Sequence, residues 1–225
     1  MILAAGRGER MRPLTDERPK SLLVAGGKPL IAWLIERLVT AGIRELVINH
    51  AYKGRMIEDE VGDGSKWGAS VVYSPEAMAL ETAGGIARAL PLLGGEPFVA
   101  VAADIFSDYD FNRLVARASE LELAHLVLVD NPPHNARGDF ALEGDRMRNS
   151  GPESLTFSAI GLYRPALFAG VSPDVPSKLA PLLRAAVDAG HATGEHHRGD
   201  WRDIGTPGRL AELDRRLRPA PGASR

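Results

Sequence analysis

The sequence predicts a single α/β domain built on a mostly parallel, doubly wound sheet. Short apolar runs bounded by turn residues recur along the chain, and several are apolar throughout, as strands covered on both faces are. Helical patterns lie between these runs, and such alternation is typical of a sheet with helices on both faces. The predicted strands cover residues 2–5, 45–49, 70–73, 98–102, 125–129 and 156–163.

Three helical segments and the start of a fourth can be placed between and after these strands. In residues 29–41 leucine recurs at every fourth position, and Gly42 follows in the place where a glycine ends a helix. Residues 110–120 and 178–189 show the same kind of apolar spacing. Thr206 followed by Pro207 supplies an N-cap and a first-turn proline for the last helix.

Two segments fall outside the regular alternation. Residues 140–147 alternate between apolar and polar side chains, which predicts a small β-hairpin lying outside the main sheet. Residues 218–225 are rich in proline and small residues, and we interpret them as a flexible tail. The sequence therefore predicts one domain over residues 1–217.

Length and composition exclude several classes of protein. The chain has 225 residues, a formal net charge of -2 and no cysteine, which excludes disulfides and thiolate metal sites. An isoelectric point of about 6.3 gives no overall basic field for nucleic acid or anionic lipid. No apolar run reaches the roughly 18 residues that a membrane span needs. We expect a cytoplasmic monomer or homodimer with no nucleic-acid or membrane partner.

The first predicted strand runs directly into a turn rich in glycine and arginine. Gly6 and Gly8 lack a Cβ atom, so the backbone N–H groups of this turn can approach a phosphate closely. Arg10 adds a fork of donors and Lys20 a compact charge, and the two together suit a triphosphate. A dinucleotide fingerprint is not formed, because Met11 stands where its third glycine would be. Taken alone, the two glycines fit an ordinary strand-to-helix turn equally well.

Residues 3–23, LAAGRGERMRPLTDERPKSLL, resemble the signature of the sugar-1-phosphate nucleotidyltransferases, roughly L-A-A-G-x-G-x-R-[LM]-x-P-[LM]-T followed by P-K. Further segments follow in family order: LETAGGI at 80–86, AADIFSDYD at 102–110 and WRDIGTP at 201–207. The resemblance spans nearly the whole chain. It implies a Rossmann-like, GT-A-like catalytic domain over residues 1–217, with the small hairpin on the sugar side. The implied reaction transfers a nucleotidyl group from a nucleoside triphosphate to a sugar-1-phosphate and releases pyrophosphate.

The resemblance also implies roles for individual residues on the nucleotide side. Arg10 and Lys20 would act on the phosphates as the catalytic residues. The residues implied in nucleotide binding are Leu3, Ala4, Ala5, Gly6, Gly8, Ser74, Glu76, Gly84 and Gly85. Glu76 could accept a hydrogen bond from an imide N–H, which is compatible with uracil and leaves guanine open. The alternative for Glu76 is an exposed loop carboxylate.

Two aspartates are candidate metal ligands. Asp104 follows an apolar strand, where α/β sheets present ligand groups, and Asp203 stands alone ahead of a turn. From the residues alone, each fits a capping or loop carboxylate equally well. The resemblance implies that both hold Mg²⁺, the cation that phosphoryl chemistry on a nucleotide needs. Relatives commonly read Asn-Gly-Asp where this chain reads Ala102-Ala103-Asp104, a change that keeps the carboxylate and alters the space beside it.

The residues implied on the sugar side are Asp139, Thr156, Ser158 and Lys178. Asp139 would bind a sugar hydroxyl. Two interpretations of Lys178 are equally good: it binds a phosphate or carboxylate of the substrate, or it is a solvated lysine in the first turn of a helix. Among family members, the chain is most similar to those that use UTP in bacterial cell-wall recycling, and those that make GDP-mannose are the alternative.

Two other classes of function fit the sequence less well. A non-catalytic nucleotide-sugar-binding protein would have lost a metal ligand or one of Arg10 and Lys20, and all four positions are filled. A nucleoside triphosphate hydrolase would usually carry a Walker-type G-x-x-x-x-G-K-[ST] motif, which the sequence lacks.

Overall fold

The computed structural model describes residues 1–218 of the chain, in which strands and helices alternate. The strands are β1 (Ile2–Leu3), β2 (Val24–Ala25), β3 (Lys28–Pro29), β4 (Glu45–His50), β5 (Ser70–Pro75), β6 (Phe98–Ala102), β7 (Ile105–Ser107), β8 (Ala124–Val129), β9 (Phe140–Glu143), β10 (Arg146–Arg148), β11 (Ser154–Tyr163), β12 (Ala192–His197) and β13 (Trp201–Asp203). The α-helices are α1 (Leu14–Glu17), α2 (Leu30–Thr40), α3 (Gly54–Val61), α4 (Glu81–Leu93), α5 (Asn112–Arg117), α6 (Leu179–Asp188) and α7 (Pro207–Leu217).

Nine strands form one sheet in the order β5-β4-β1-β6-β11-β8-β12-β10-β9. The strands β5, β4, β1 and β6 are parallel, and so are β8 and β12. The strand β11 runs antiparallel to both β6 and β8, so the sheet is mixed rather than mostly parallel. The connection from β8 to β11 contains the β9–β10 hairpin and no α-helix, whereas a return to a parallel strand usually passes through an α-helix.

Helices cover both faces of the sheet, which confirms the predicted doubly wound arrangement. On one face, Ile31 of α2, Ile57 of α3 and Leu114 of α5 share a buried cluster with Ile2. On the other face, α4 and α6 contribute to a second buried cluster. The carboxyl ends of β1 and β6 therefore open between two helical layers, where doubly wound sheets place their ligands.

The predicted hairpin forms, with Met147 of β10 opposite Leu142 of β9. Its predicted place outside the main sheet is wrong. Arg146 pairs with Thr193 of β12, and β9 also pairs with β11, so the hairpin extends the nine-stranded sheet at one end. Its backbone groups thereby gain partners that an isolated two-stranded hairpin would lack.

The last helix begins as predicted. Thr206 is the N-cap of α7, its Oγ1 accepts from the N–H of Arg209 at 3.4 Å, and Pro207 occupies the first turn. Of the predicted tail, residues 219–225 lie outside the described residues. Among residues 1–218, no helix is long and apolar enough to cross a membrane.

Candidate active site

Two clefts meet at the carboxyl ends of β1 and β6. The smaller, of about 350 Å³, is lined by the loop after β1 together with Arg10, Lys20 and Asp104. The larger, of about 610 Å³, extends from the start of α4 past Asp104 to β11 and α6. Leu3, Gly6 and Asp104 line both clefts. A ligand that fills both clefts must therefore pass the Asp104 carboxylate.

The loop after β1 has the form of an anion site. Gly8 has a positive φ of 67°, and a Cβ atom there would lie 3.1 Å from both Lys20 Cβ and Thr15 Cγ2. Thr15 Oγ1 donates to the Gly8 carbonyl at 2.8 Å and holds the turn. Within residues 1–218, the backbone N–H groups of residues 5–10 donate to no protein acceptor. Successive unpaired N–H groups in a glycine turn are the backbone donors that bind phosphate.

Two cations reach the smaller cleft. Lys20 forms an ion pair with Asp104, and the two side chains are 15% and 23% exposed. Arg10 is exposed, and a Cβ atom at Gly205 would lie 3.1 Å from its Nη2 atom. A phosphate group entering this cleft therefore meets a guanidinium and an ammonium as well as the loop.

The chain brings the backbone of Asp203 beside that of Asp104. The strand β13 pairs antiparallel with β7, and the N–H of Ile204 donates to the Asp104 carbonyl at 3.0 Å. The Asp203 carboxylate accepts from Arg209 Nη1 at 3.0 Å and lies 3.4 Å from His134 Nε2. Asp104 thus lines both clefts, whereas Asp203 lines neither and its carboxylate is held by Arg209.

The residues present fit a hard cation that arrives with a nucleotide. Asp104 and Asp203 supply two carboxylates, and Mg²⁺ is commonly held by one or two carboxylates plus phosphate oxygens and water. Within residues 1–218, no group of three or more His, Cys, Asp or Glu side chains is arranged to hold a metal ion. The protein alone therefore supplies part of a coordination shell, and the phosphates would have to complete it.

Glu76 differs from its expected role. It is 5% exposed, Oε1 accepts from Asn49 Nδ2 at 2.6 Å, and Oε2 accepts from the N–H of Leu80 at 2.8 Å. Asn49 Oδ1 in turn accepts from the N–H of Ala4 at 3.0 Å. The arrangement does not support contact between Glu76 and a base, because internal donors use both carboxylate oxygens. Glu76 instead links the loop after β1 to the start of α4.

The paired glycines of LETAGGI lie inside α4, and both are buried. A Cβ atom at Gly85 would lie 2.7 Å from Asn49 Nδ2 and from Glu76 Oε1. At Gly84 it would lie 2.6 Å from the carbonyl oxygen of Val175. Their missing Cβ atoms therefore make room for protein atoms rather than for a base. Ser74, also expected at the nucleotide, is 3% exposed.

Replacing Gly85 with alanine is expected to lower the free energy of unfolding by about 2 to 3 kcal/mol, since the new methyl group meets the Asn49–Glu76 hydrogen bond. The measurement is urea unfolding followed by circular dichroism. Gly208→Ala is the matched control, because Gly208 also lies in a helix and a Cβ atom there meets nothing within 4 Å. The control should be unchanged or more stable by up to about 1 kcal/mol. Equal stability of the two variants would contradict the packing argument.

Two of the four expected sugar-side residues line the larger cleft, Asp139 and Lys178. Asp139 Oδ2 accepts from Asn135 Nδ2 at 3.0 Å and from the N–H of Phe157 at 2.8 Å, so its orientation is fixed. Lys178 is exposed at the start of α6 and forms no ion pair with any described residue. Its ammonium group is therefore available to an anion.

Thr156 and Ser158 do not line the cleft, so the structure does not support the expectation that their hydroxyls bind sugar. Thr156 is 5% exposed and donates to Asn131 Oδ1 at 2.9 Å, whereas Ser158 is fully buried and donates to the Val127 carbonyl at 2.6 Å. Successive side chains of a strand point to opposite faces. Phe157 and Ala159 consequently line the cleft in their place.

Sequence reasoning missed three residues that support the site. Asn49 connects the loop after β1 to Glu76, while Arg209 and His134 contact Asp203. His134 Nδ1 and Arg209 Nη2 are also 2.7 Å apart. For Arg209 the sequence offered one signal, a cation in the first turn of the helix that follows Asp203. No local signal identifies Asn49 or His134.

The α/β sheet and the two joined clefts, one of them lined by a glycine turn and two cations, are typical of an enzyme that binds a phosphorylated substrate beside a second ligand. Residues 1–141 match the family model described as nucleotidyl transferase, and the chain belongs to that family. The resemblance found in the sequence is thereby confirmed, as is the assignment to enzymes that transfer nucleotidyl groups.

Similar proteins cover almost the whole chain. N-acetylmuramate alpha-1-phosphate uridylyltransferase of Neisseria meningitidis serogroup B is 54% identical over 94% of this chain and 95% of its own length. The protein of the same name from Caulobacter vibrioides is 32% identical over 98% of this chain and 97% of its own length. A Bacillus anthracis crystal structure assigned as a glucose-1-phosphate thymidylyltransferase superposes with a TM-score of 0.86, covers 99% of this chain and 96% of its own, and is 21% identical. The last comparison establishes the fold alone.

Proposed function

We propose that this chain transfers the uridylyl group of UTP to N-acetylmuramate α-1-phosphate, giving the UDP-sugar and pyrophosphate. The main observation behind the proposal is that the two clefts join at Asp104, with Lys20 and Arg10 lining the smaller cleft, where the phosphates would bind. The two full-length relatives named for this reaction support the choice of substrates. UTP and sugar phosphates are substrates of the cytoplasm, where we place the protein.

The reaction needs no activated serine, cysteine or histidine. An oxygen of the sugar phosphate is already anionic, and it forms a bond to the α-phosphorus while the bond to the pyrophosphate oxygen breaks. The protein's contribution is alignment of the two substrates and stabilisation of phosphate charge. Residues 5–10 would hold the triphosphate through backbone N–H groups, and Arg10 and Lys20 would bind the charge that departs with pyrophosphate.

Asp104 and Asp203 are the residues that would hold Mg²⁺. When bound, this cation neutralises negative charge on the phosphate oxygens. Lys20 contacts Asp104 and Arg209 contacts Asp203 in the structure, so a cation orients each of the two carboxylates.

The sugar would occupy the part of the larger cleft between Asp139 and α6. Phe140 and Phe157 supply apolar surface there, and Asp139 offers a fixed acceptor to a hydroxyl or amide N–H. Lys178 and Arg184 are exposed cations on the same wall, where a substrate carboxylate would find a partner. An acidic sugar such as N-acetylmuramate fits this charge pattern better than a neutral one.

A pyrophosphate-release assay tests the proposal. UTP, GTP, dTTP, CTP and ATP are each paired with N-acetylmuramate α-1-phosphate, mannose-1-phosphate and glucose-1-phosphate. We expect the highest kcat/KM for UTP with N-acetylmuramate α-1-phosphate. A preference for GTP with mannose-1-phosphate would replace the proposal by the guanylyltransferase alternative. Nucleotide binding without turnover of any pair would favour a non-catalytic binding protein.

A further inference from the structure

The segment of residues 169–178, which contains no strand or helix, leads into α6 at the wall of the larger cleft. Lys178 is its last residue and lines that cleft, as does Leu179 at the start of α6. Lys178 is exposed and forms no ion pair with any described residue. The position of the backbone in this segment therefore decides where the ammonium group of Lys178 lies.

The 169–178 segment is hydrogen-bonded to the start of α4. The Ser177 carbonyl accepts from the N–H of Ala83 at 2.8 Å and from the N–H of Gly84 at 3.2 Å. The N–H of Ser177 donates to the Leu80 carbonyl at 2.9 Å. No side chain of the described residues caps α4, so the Ser177 carbonyl takes the place of an N-cap and gives the first-turn N–H groups a partner.

Gly84 makes this close approach possible. A Cβ atom at position 84 would lie 2.6 Å from the Val175 carbonyl oxygen and 3.2 Å from the backbone nitrogen of Ser177. Both contacts are with backbone atoms, so a larger residue would push the segment away from α4. Arg88, one turn further along α4, adds a second attachment, since its Nη1 atom lies 2.7 Å from Asp174 Oδ1. The 169–178 segment therefore follows the position of α4.

The body of α6 is held in place independently of this attachment. Leu183, Ala186 and Val187 belong to the buried cluster that α4 and α6 share. These side chains fix the later turns of the helix, whereas the docked segment sets the first turn. A change at Gly84 should consequently move Lys178 and leave the rest of the fold in place.

We infer that Gly84 is a positioning residue for the sugar substrate, because it lets the 169–178 segment dock on α4 and thereby sets Lys178 at the wall of the larger cleft. The ammonium group of Lys178 then meets an anionic group of the sugar phosphate. The same helix is connected through Leu80 and Glu76 to the strand β5 and the loop after it, so α4 supports more than one wall of the site. This inference rests on the proposed function, since it assumes that the sugar phosphate occupies the larger cleft.

A double-mutant cycle between Gly84→Ala and Lys178→Met tests this role. Calorimetry measures the Kd of N-acetylmuramate α-1-phosphate in the presence of α,β-methylene-UTP, an analogue that cannot release pyrophosphate, so binding is measured without turnover. Lys178→Met should raise this Kd about tenfold, the scale of one charge-assisted contact. Gly84→Ala should raise it about fivefold and leave the Kd of the UTP analogue within about twofold of wild type. In the Lys178→Met background, Gly84→Ala should change the Kd by less than about twofold, because both changes act through the same ammonium group.

Gly208→Ala is the matched control for the helix glycine. Gly208 lies in α7 and lines neither cleft, and a Cβ atom there meets nothing within 4 Å, so both Kd values should be unchanged. Ser177→Pro disturbs the same contact from the side of the segment, because it removes the N–H that donates to Leu80 and leaves the sequence of α4 unaltered. It should give the same pattern as Gly84→Ala, and it decides the question if Gly84→Ala does not fold.

Three results would overturn the inference while the proposed function stands. Gly84→Ala could weaken both ligands equally, or weaken the sugar phosphate as much in the Lys178→Met background as in the wild type, and either result would leave Gly84 with a packing role alone. The third is a Kd for the sugar phosphate within about twofold of wild type in both Gly84→Ala and Ser177→Pro.

Failure of the proposed function gives a different result. If the wild type binds both ligands and turns over no pair of substrates, the proposed function is wrong, and the same Kd values still decide the role of Gly84. If the wild type does not bind the sugar phosphate, both the proposed function and the inference are wrong.

Discussion

Replacing Lys20 with methionine is expected to lower kcat/KM for UTP by roughly 100-fold or more, the scale of losing one charged contact to the transition state. Methionine keeps most of the stem that packs beside Gly8 and removes only the ammonium group. Asp104 then loses its ion-pair partner. The side chains of Lys20 and Asp104 are both partly exposed, so the free energy of unfolding should fall by no more than about 1 kcal/mol. Steady-state kinetics and thermal unfolding on the same preparations measure both effects.

Lys28→Met is the matched control for this change. Lys28 forms an ion pair with Glu36 and lies outside both clefts, so its loss should leave kcat/KM unchanged. Lys20→Arg should restore only part of the activity, since a planar fork cannot replace a compact ammonium group without displacing its neighbours. A fully active Lys20→Met enzyme would show that Lys20 serves only to orient Asp104 and the loop.

The fold was predictable from the sequence where local pattern decides it. The apolar runs and the cap at Thr206 predict elements that the structure contains, because burial and capping act over a few residues. The direction of β11 was not predictable in this way, since an apolar run carries no information about which way the strand lies. The helix α4 was also missed, because Gly84 and Gly85 lower helix propensity and are tolerated here only by tertiary packing.

The candidate site was predictable as far as its glycine loop and charged residues. The structure places Arg10, Lys20 and Asp104 on one cleft, and their roles in catalysis and metal binding stay predictions. Side-chain direction was the part that sequence could not supply. At positions 156 and 158 the family pattern locates the strand but does not show which side chains point to the cleft. The register shift in β11 between residues 157 and 160 makes that direction harder still to predict. Glu76 illustrates the same limit, since its partner Asn49 is 27 residues away in the chain.

Replacing either Asp104 or Asp203 with asparagine is expected to lower kcat by roughly 1,000-fold, because each change removes one of two carboxylates proposed to hold Mg²⁺. Asparagine keeps the volume of the side chain and removes its charge. Wild-type turnover should stop in excess chelator and return with added Mg²⁺. Each variant should require a higher Mg²⁺ concentration for half-maximal rate, which a loss of packing alone would not produce.

Binding of Mn²⁺ in the presence of UTP, measured by electron paramagnetic resonance, gives a second readout that does not depend on turnover. We expect weaker Mn²⁺ binding in both variants. Asp200→Asn is a closely matched control, because the Asp200 side chain is 18% exposed and held by arginines, as Asp203 is at 17%. Asp203 differs in its place beside the smaller cleft, since a Cβ atom at Gly205, which lines that cleft, would lie 3.0 Å from Asp203 Oδ1.

The two aspartates should also differ from each other. Asp104 lines both clefts, whereas Asp203 lines neither and has one carboxylate oxygen bound to Arg209. Arg209→Met should therefore change the Mg²⁺ concentration dependence more than Asp200→Asn does. Mn²⁺ affinity and Mg²⁺ dependence that stay at wild-type values in Asp203→Asn would remove Asp203 from the metal site and leave it as the partner of Arg209 and His134.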